Sequence, residues 1–386
     1  MYVLTTESVD LRTELVHFFL VLSFPAGTQV IKSNMFKTLQ TFDTELSADS
    51  VEWCPHENFA DLVVCGTYEL KVEDEGSSKR ERIGRIYLMK LNEQRCGLDV
   101  LQTIEVSAVL DMKWSRTSSS SRVMLGVASA DGCLRIYELQ QLEEEEPRLK
   151  LIGQTRLGDD EEEERLALSL DWAADQTRLT LSDSKGCVSC WQLQADTGNF
   201  ERLVEWPAHD FEAWITCFDL RNSEVVYTGG DDLKMRSFDL RSGPIATNSR
   251  SHGAGVTSLQ FHPTKEHSFV SGSYDEQLRH WDTRQLKRAV HELPLGGGLW
   301  RLKYEPSPRQ PPRYLLAAGM YGGFFLVDVL DEEQPRVVEN FQEHKSIAYG
   351  CDWSYRTRAD DDPPLVATCS FYDHCLKLCS INTDEC

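Results

Sequence analysis

Aromatic and acidic side chains recur at corresponding places in the second half of this chain. The aromatic members are Trp214, Tyr274, Trp300, Tyr349 and Tyr372, and the acidic members are Glu212, Asp231 and Glu276. If the fold brought them together, each desolvated ring face would attract an organic cation by about 0.5–2 kcal/mol. The set therefore predicts a site for a quaternary ammonium group, with Asp231 adding charge complementarity. A general protein-binding surface is the alternative interpretation.

The same region contains groups that could hydrolyse an ester, a reaction that needs a nucleophile, a base and donors for the oxyanion. The chain has no Gly-x-Ser-x-Gly elbow. Water activated by a side chain is the remaining route, and the candidates for the base are Asp231, Glu276, Glu212 and His209. Arg301 could stabilise the oxyanion. Ser273 could be a nucleophile beside His252, although we favour a structural role for it.

A repeated structural unit would bring these residues together. Residues 252–284 contain three strand-like runs separated by turn residues and end on Trp281-Asp282-Thr283-Arg284, so the segment resembles a WD repeat. An aromatic residue ends the first strand of each repeat, and these residues follow one another at intervals of 43 to 61. They are Trp53, Trp114, Trp172, Phe218, Phe261, Tyr304 and Trp353.

This spacing predicts an all-β fold, a seven-bladed WD-repeat β-propeller formed by residues 35–386 as a single domain. The blades are predicted at about 47–106, 107–158, 159–206, 207–249, 250–294, 295–341 and 342–386. The last repeat lacks a fourth strand, so we expect residues 36–46 to supply it and close the ring. Residues 1–34 are predicted to be a poorly ordered N-terminal extension.

The repeats also predict a buried polar network within the blades. In the fifth repeat His252, Ser273, Asp275 and Trp281 are expected to bond in series. The fourth repeat contributes His209 with Asp232, and the seventh contributes His344 with Asp373. These histidines are more simply explained as satisfied polar groups of the blade interior than as catalytic groups.

The position before the turn aspartate and the position five residues after the histidine both lie at one mouth of a propeller channel. The fourth to seventh repeats place Trp214, Asp231, Tyr274, Trp300, Tyr349 and Tyr372 at these positions. The repeat pattern therefore predicts that the candidate site lies at one opening of the channel.

Composition limits the partners and the location of the protein. The formal net charge of -22 disfavours nucleic acid and favours a basic protein partner. Twelve cysteines without a disulfide pattern indicate the reducing cytoplasm. The apolar run at residues 15–24 is too short to span a membrane. We expect no membrane association, no cofactor, no metal ion and a monomer.

Several short segments together resemble the diphthine methylesterase family, also called diphthine methyltransferase. They are DTELSADSVEWCP (43–55), CGTYEL (65–70), ALSLDW (167–172), HDFEAW (209–214), TGGDD (228–232), GSYDE (272–276), GGLWRLKY (297–304) and YGCDW (349–353). The resemblance covers residues 36–386. It implies hydrolysis of the methyl ester of methylated diphthine, a modified histidine of translation elongation factor 2, during diphthamide biosynthesis.

A non-catalytic adaptor is the alternative function, because most WD propellers bind proteins and perform no chemistry. The Trp281-to-Arg284 element resembles the W-D-x-R element of propellers that are recruited to cullin ubiquitin ligases, and residues 238–241 resemble it more weakly. A cullin ligase association is therefore a second expectation for the partners of this chain.

Overall fold

The computed structural model describes residues 35–72, 80–92, 94, 96–115, 122–142, 145–158, 164–194, 196–306, 311–331, 334–356 and 362–382. The predicted N-terminal extension, residues 1–34, lies outside these residues. No helix in the described ranges is long and apolar enough to cross a membrane.

The described residues form seven four-stranded antiparallel sheets, and Glu57–Phe59 forms a single 3-10 turn. Six sheets take their four strands consecutively from the chain, and the seventh combines the first strand with the last three. This arrangement confirms the predicted seven-bladed propeller closed by an N-terminal strand.

The strands of the first four sheets follow the closing strand β1 (Phe36–Asp43). The first blade contains β2 (Ser47–Trp53), β3 (Leu62–Val72), β4 (Arg80–Leu91) and β5 (Leu98–Ser107). The second contains β6 (Val109–Trp114), β7 (Met124–Ser129), β8 (Cys133–Gln140) and β9 (Arg148–Arg156). The third contains β10 (Ala167–Trp172), β11 (Arg178–Asp183), β12 (Cys187–Gln194) and β13 (Asn199–Pro207). The fourth contains β14 (Ile215–Phe218), β15 (Val225–Gly229), β16 (Met235–Asp239) and β17 (Gly243–Asn248).

The remaining three sheets follow the same order. The fifth blade contains β18 (Val256–Phe261), β19 (Ser268–Ser273), β20 (Gln277–Asp282) and β21 (His291–Pro294). The sixth contains β22 (Arg301–Tyr304), β23 (Tyr314–Ala318), β24 (Phe324–Asp328) and β25 (Arg336–Phe341). The seventh contains β26 (Ala348–Trp353), β27 (Leu365–Ser370), β28 (Cys375–Ile381) and β1.

The first strand of each blade lies innermost, and its sequence reflects burial on both faces. Every residue of β2, β10 and β26 is buried, whereas the outer strand β13 exposes several side chains to solvent. A strand covered on both faces need not alternate apolar and polar residues, because both faces contact protein. Polar residues on these inner strands, such as Glu52 and Asp352, must therefore find partners within the molecule.

The aromatic residue that ends an inner strand connects neighbouring blades. The indole nitrogen of Trp114 donates to the Glu52 carbonyl at 3.2 Å, and that of Trp172 donates to the Lys113 carbonyl at 2.9 Å. In the last blade, the Trp353 indole donates to the Lys303 carbonyl at 3.0 Å. Each bond runs to the preceding blade, so these tryptophans help to fix how neighbouring blades stack.

Strand β1 closes the ring by pairing with β28, from Phe36 opposite Ile381 to Asp43 opposite Cys375. The Phe36 ring also stacks on Phe341 of the sixth blade, with ring centroids 4.9 Å apart. Closure covers the edge of β28, which would otherwise present unpaired backbone groups to other chains.

The polar network of the fifth blade differs from the predicted series at two residues, because Ser271 replaces Ser273 and Asp275 forms no hydrogen bond to His252 within the described residues. Ser271 Oγ lies 3.0 Å from His252 Nε2 and accepts the Trp281 indole N–H at 2.8 Å. The prediction that Ser273 occupies this position is wrong. Side chains two apart on a strand share a face, and only the register of β19 decides which one is level with the indole. Ser273 instead donates to the Ala254 carbonyl at 3.1 Å.

The predicted turn aspartate of this blade binds backbone and guanidinium groups. Asp275 accepts from the Gly253 N–H at 2.7 Å and pairs with Arg279 at 2.8 Å. Burial lowers the pKa of His252 to about 3, so this histidine is neutral at physiological pH. The network is a structural support for the turns that carry the candidate site.

Candidate functional site

Five aromatic side chains meet at one end of the channel. Trp214 directly precedes the inner strand β14, Trp300 directly precedes β22, and Tyr349 is the second residue of β26. Tyr274 and Tyr372 lie in the turns that follow β19 and β27. The starts of inner strands and the turns before third strands lie at the same end of a propeller, so the fold brings these residues together.

Ring contacts join these residues into a continuous group, here called the aromatic cluster. The centroid of Trp214 lies 6.2 Å from that of Tyr274 and 5.8 Å from that of Trp300. Tyr274 and Trp300 are 6.1 Å apart, and Trp300 and Tyr349 are 4.9 Å apart. Sequence reasoning missed one member, Phe371, which lies 5.0 Å from both Tyr349 and Tyr372.

The rings contact one another, which decides where a ligand could bind. Centroid separations of this size are those of packed aromatic pairs, so no cation fits between adjacent rings. Trp214 and Trp300 are 5% and 7% exposed, whereas Tyr372 is 47% exposed and Tyr274 is half-buried. A cation would therefore lie over the solvent-facing side of the cluster, near Tyr274 and Tyr372.

Asp231 is held against the aromatic cluster by a specific hydrogen bond. The Trp214 indole N–H donates to Asp231 Oδ1 at 3.0 Å. Gly255 makes this approach possible, because a Cβ at that position would lie 2.6 Å from the same oxygen and 3.1 Å from the Tyr274 ring. Within the described part of the chain, no donor is assigned to Asp231 Oδ2, so this oxygen can interact with a ligand or water.

Glu212 lies beside Asp231 and has an altered acidity. Its carbonyl oxygen accepts the Asp231 backbone N–H at 2.8 Å. Burial raises the pKa of the Glu212 carboxyl above its ordinary value, and the negative charge of Asp231 raises it further. A carboxyl group with a raised pKa is suited to donate a proton, which is one of the roles that acid–base catalysis needs.

Two predicted catalytic residues do not lie with this carboxyl pair. His209 is buried inside the fourth blade, with Nδ1 2.8 Å from Asp232 Oδ1 and Nε2 2.8 Å from Thr228 Oγ1. Both ring nitrogens already have hydrogen-bond partners inside the blade, so the prediction that His209 acts as the base is not supported. Glu276 is exposed on the turn before β20, and none of the contacts in the described ranges joins its carboxylate to the aromatic cluster.

Arg301 is not placed as the predicted oxyanion donor, because its guanidinium lies in the channel below the aromatic cluster. Its Nη2 atom forms an ion pair with Asp111 Oδ1 at 3.0 Å, and the side chain is nearly completely buried. The Arg301 guanidinium therefore neutralises the buried Asp111 carboxylate in the channel. The geometry does not support Arg301 as the oxyanion donor.

Arg301 is one of six ionisable side chains that we call the channel ion cluster. Its members are Glu52, Asp111, Lys113, Arg301, Lys303 and Asp352. Lys113 lies 2.7 Å from Glu52 and 3.0 Å from Asp111, and Lys303 contacts both Glu52 and Asp352. The cluster's ion pairs span the channel, and Arg301, Lys303 and Asp352 follow Trp300 or Tyr349 by one to three residues, so the cluster lies below the candidate site.

One group in the described residues has the composition of a metal site. Ligand atoms of His344, Asp373 and Cys375 lie within 4.8 Å of one another. However, His344 Nε2 already lies 2.9 Å from Thr368 Oγ1, and Ser370 Oγ contacts both His344 Nδ1 and the Asp373 carboxylate. These bonds make the group the polar network of the seventh blade, in agreement with the role predicted for His344 and Asp373.

The fold and the site define a WD-repeat propeller with aromatic and carboxyl groups at one end of its channel. The family described as WD domain, G-beta repeat matches residues 244–282. The whole-chain fold is similar to a chain in "Crystal Structure of Mitotic Checkpoint Complex", with a TM-score of 0.63, 15% identity and coverage of 94% of this chain and 97% of that one. At this identity the likeness concerns the fold alone.

Sequence relatives identify the family more closely. A diphthine methyltransferase of Mus musculus is 37% identical over 83% of this chain and 70% of its own length, and the one of Homo sapiens is 35% identical over 82% and 74%. A diphthine methyltransferase homolog of Dictyostelium discoideum is 32% identical over 91% and 99%. This chain belongs to the diphthine methyltransferase family, as its sequence motifs predict. The relatives' names are those of enzymes and do not favour the adaptor function.

Proposed function

We propose that this protein removes the methyl ester from methylated diphthine on translation elongation factor 2, as a step of diphthamide biosynthesis. The observation that carries the proposal is the contact between Trp214 and Asp231 within the aromatic cluster. Methylated diphthine contains a trimethylammonium group beside an ester. Ring faces and a carboxylate are the groups that recognise such a cation.

We further propose that the solvent-facing side of the aromatic cluster binds the trimethylammonium group. Tyr274 and Tyr372 provide the accessible surface, and the buried rings of Trp214 and Trp300 hold it in position. Bound there, the ester would lie near Asp231 and Glu212. The channel ion cluster closes the channel below, so the modified side chain of the substrate would enter from the mouth.

The carboxyl pair supplies the groups for hydrolysis by activated water. Asp231 accepts a proton from water as the water oxygen bonds to the ester carbonyl carbon. The tetrahedral intermediate then breaks its bond to the methoxy oxygen, which receives a proton from Glu212 and leaves as methanol. The product is a free carboxyl group. The raised pKa of Glu212 supports its role as the proton donor.

Methanol release from elongation factor 2 that carries methylated diphthine tests this proposal with the purified full chain. Trp214→Phe retains a ring face and loses the bond to Asp231, whereas Trp214→Ala loses both. We expect the alanine variant to raise KM by about tenfold or more, because it removes both the ring that packs against Tyr274 and the hydrogen bond that holds Asp231, and the phenylalanine variant to raise it less. Trp206→Ala is the control, because the half-buried Trp206 lies on the outer strand β13 and stacks on Phe238 of the fourth blade, with centroids 4.9 Å apart.

Stoichiometric complex formation by the wild type without methanol release would contradict the esterase function. Unchanged KM in Trp214→Ala, in a variant that still folds, would contradict the cation site. Circular dichroism and thermal unfolding of each variant separate these results from a loss of structure.

A further inference from the structure

A groove of about 870 Å³ lies between the fourth and fifth blades. Its walls include Asp219 and Arg221, which follow the end of β14, whereas Trp214 precedes the start of the same strand. The four residues of β14 separate the two sites by about 13 Å along the strand. The groove therefore lies at the opposite end of the strands from the aromatic cluster, and both can be occupied together.

The charge of this groove is opposite to that of the whole chain. Its lining contains the cations Arg221, Lys265, Arg284 and Lys287. Asp219 is the only carboxylate among the described residues that line it, and its Oδ1 accepts the Arg221 backbone N–H at 2.8 Å. Asp282, just outside the lining, pairs with Arg284 at 2.6 Å. The groove lining thus contains four cationic side chains and the carboxylate Asp219, in a chain whose net charge is -22.

An apolar surface continues from the cationic groove. The exposed side chain of Ile245 lies on the groove wall. A second hollow of about 540 Å³ shares His262 and Lys265 with the groove, and its lining includes Pro311, Pro312 and Leu330 together with one carboxylate, Asp331. Leu330 is 62% exposed. A ligand that extends across both hollows would meet cations first and then a proline-lined apolar surface.

We propose that this surface binds an extended acidic segment of a partner protein, with an apolar residue beside the acidic ones. Charge complementarity selects the acidic residues and accelerates association. The proline-lined hollow accepts the apolar side chain. Nucleic acid fits less well, because its phosphates would continue beyond the groove over a surface of strong negative charge.

Fluorescence anisotropy of the full chain with a labelled peptide tests this proposal. The probe contains six alternating Asp and Glu residues followed by Leu-Pro-Leu, and the comparison probe has Lys in place of the acidic residues. We expect the acidic probe alone to bind, and to bind more weakly as the salt concentration rises from about 50 to about 200 mM.

Charge reversal in the groove has a closely matched control. Lys265→Glu and Lys287→Glu each place a carboxylate on the lining, whereas Arg288→Glu makes the same kind of change on the exposed neighbour of Lys287 outside the lining. We expect the combined Lys265→Glu/Lys287→Glu variant to lose about tenfold or more in affinity and the Arg288→Glu variant to lose less than about twofold.

Three results would overturn the proposal. The acidic probe could fail to bind, or it could lose the same affinity in the control variant as in the groove variant. A single-stranded oligonucleotide could bind more tightly than the peptide with the same sensitivity to Lys265→Glu. Sedimentation velocity adds a fourth, because a wild-type dimer that Lys265→Glu dissociates would identify a second copy of the chain as the occupant.

Methanol release remains independent of this surface when a short diphthine-containing substrate is used. Lys265→Glu/Lys287→Glu is expected to retain wild-type KM for that substrate, whereas Trp214→Ala is not. Failure of the groove proposal and failure of the proposed esterase function are therefore distinguishable.

Discussion

Arg301 of the sixth blade forms an ion pair with Asp111 of the second blade, with Nη2 and Oδ1 3.0 Å apart. These blades are not neighbours in the ring, so the pair crosses the central channel. Asp111 also accepts from Ser169 Oγ at 3.0 Å and from the Leu170 N–H at 3.1 Å in the third blade. Burial raises the pKa of Asp111, but the charges of Arg301 and Lys113 outweigh it and lower the pKa to about 2.

Removal of the Arg301 charge tests whether this pair is structural. Arg301→Met leaves the buried Asp111 without its cross-channel cation. We expect the free energy of unfolding to fall by about 1–3 kcal/mol, because the buried Asp111 carboxylate loses one of its two cations and keeps Lys113 at 3.0 Å. Urea unfolding of the full chain at 25 °C measures the change.

A second substitution at Asp111 should restore much of the loss. In Arg301→Met/Asp111→Asn, the asparagine carbonyl can still accept from Ser169 and Leu170 but carries no charge. Recovery of stability in this double variant would support the structural role. An Arg301→Met variant of wild-type stability that loses only kcat would instead restore the predicted oxyanion role.

The serine network of the fifth blade predicts different costs for two neighbouring serines. Ser271→Ala leaves His252 Nε2 and the Trp281 indole N–H without their shared partner, and we expect it to cost about 2–4 kcal/mol. Ser273→Ala removes one bond to a carbonyl and one from the Asp275 N–H, and we expect about 1 kcal/mol. Thermal and urea unfolding compare the two variants, and equal costs would contradict the observed network.

The proposed carboxyl pair predicts a pH profile. Asp231→Asn removes the base and should lower kcat/KM by about 100-fold or more. Glu212 must be protonated to donate, so kcat of the wild type should fall as the pH rises through the raised pKa of Glu212. Glu212→Gln should lower kcat and abolish this limb, as measured by methanol release against pH.

Glu276→Gln is the comparison for the carboxyl pair. Glu276 is exposed on a turn with φ 67° and lacks an assigned contact to the aromatic cluster within the described residues. We expect it to retain wild-type kcat and the wild-type pH profile. Loss of activity in Glu276→Gln, together with an active Asp231→Asn, would move the base from Asp231 to Glu276.

Asp352 of the channel ion cluster is expected to contribute less to the free energy of unfolding as the pH rises. Burial raises the pKa of Asp352 to about 7, the Lys303 charge opposes the shift, and the Glu52 charge adds to it. A carboxyl whose pKa is higher in the folded state binds its proton more tightly there. Its contribution is complete below the unfolded pKa of about 4 and is lost as the pH rises to about 7.

Asp352→Asn provides the measurement, because asparagine has no proton to release. We expect the stability of the wild type relative to the variant to decrease between pH 5 and pH 7, as followed by urea unfolding. A relative stability that is constant or that increases over this interval would contradict the raised pKa.

Much of the architecture could be predicted because its signals are local. Trp53, Trp114 and Trp172 end the inner strands of three consecutive blades, and each interval between them corresponds to one four-stranded blade with its loops. The closing role of β1 follows from a last repeat that lacks its fourth strand. These features depend on strand length, turn residues and spacing along the chain.

The candidate site could be predicted in part. The site residues occupy two equivalent positions of the repeat. Trp214 and Trp300 share one position, and Asp231 and Tyr274 share the other, so the ring symmetry brings them together. Phe371 was missed because it immediately precedes Tyr372, which occupies the predicted position. The contact between the rings, and therefore the position of a cation outside them, depends on side-chain packing.

The sequence by itself determined the repeat, the number of blades and the end of the channel where the aromatic residues meet. Only the tertiary structure decided the partners of Arg301, Ser271 and His209. The reason is that a hydrogen bond or an ion pair depends on distances across the ring and on strand register. A small shift in strand register changes which side chains meet, while the repeat pattern along the sequence stays the same.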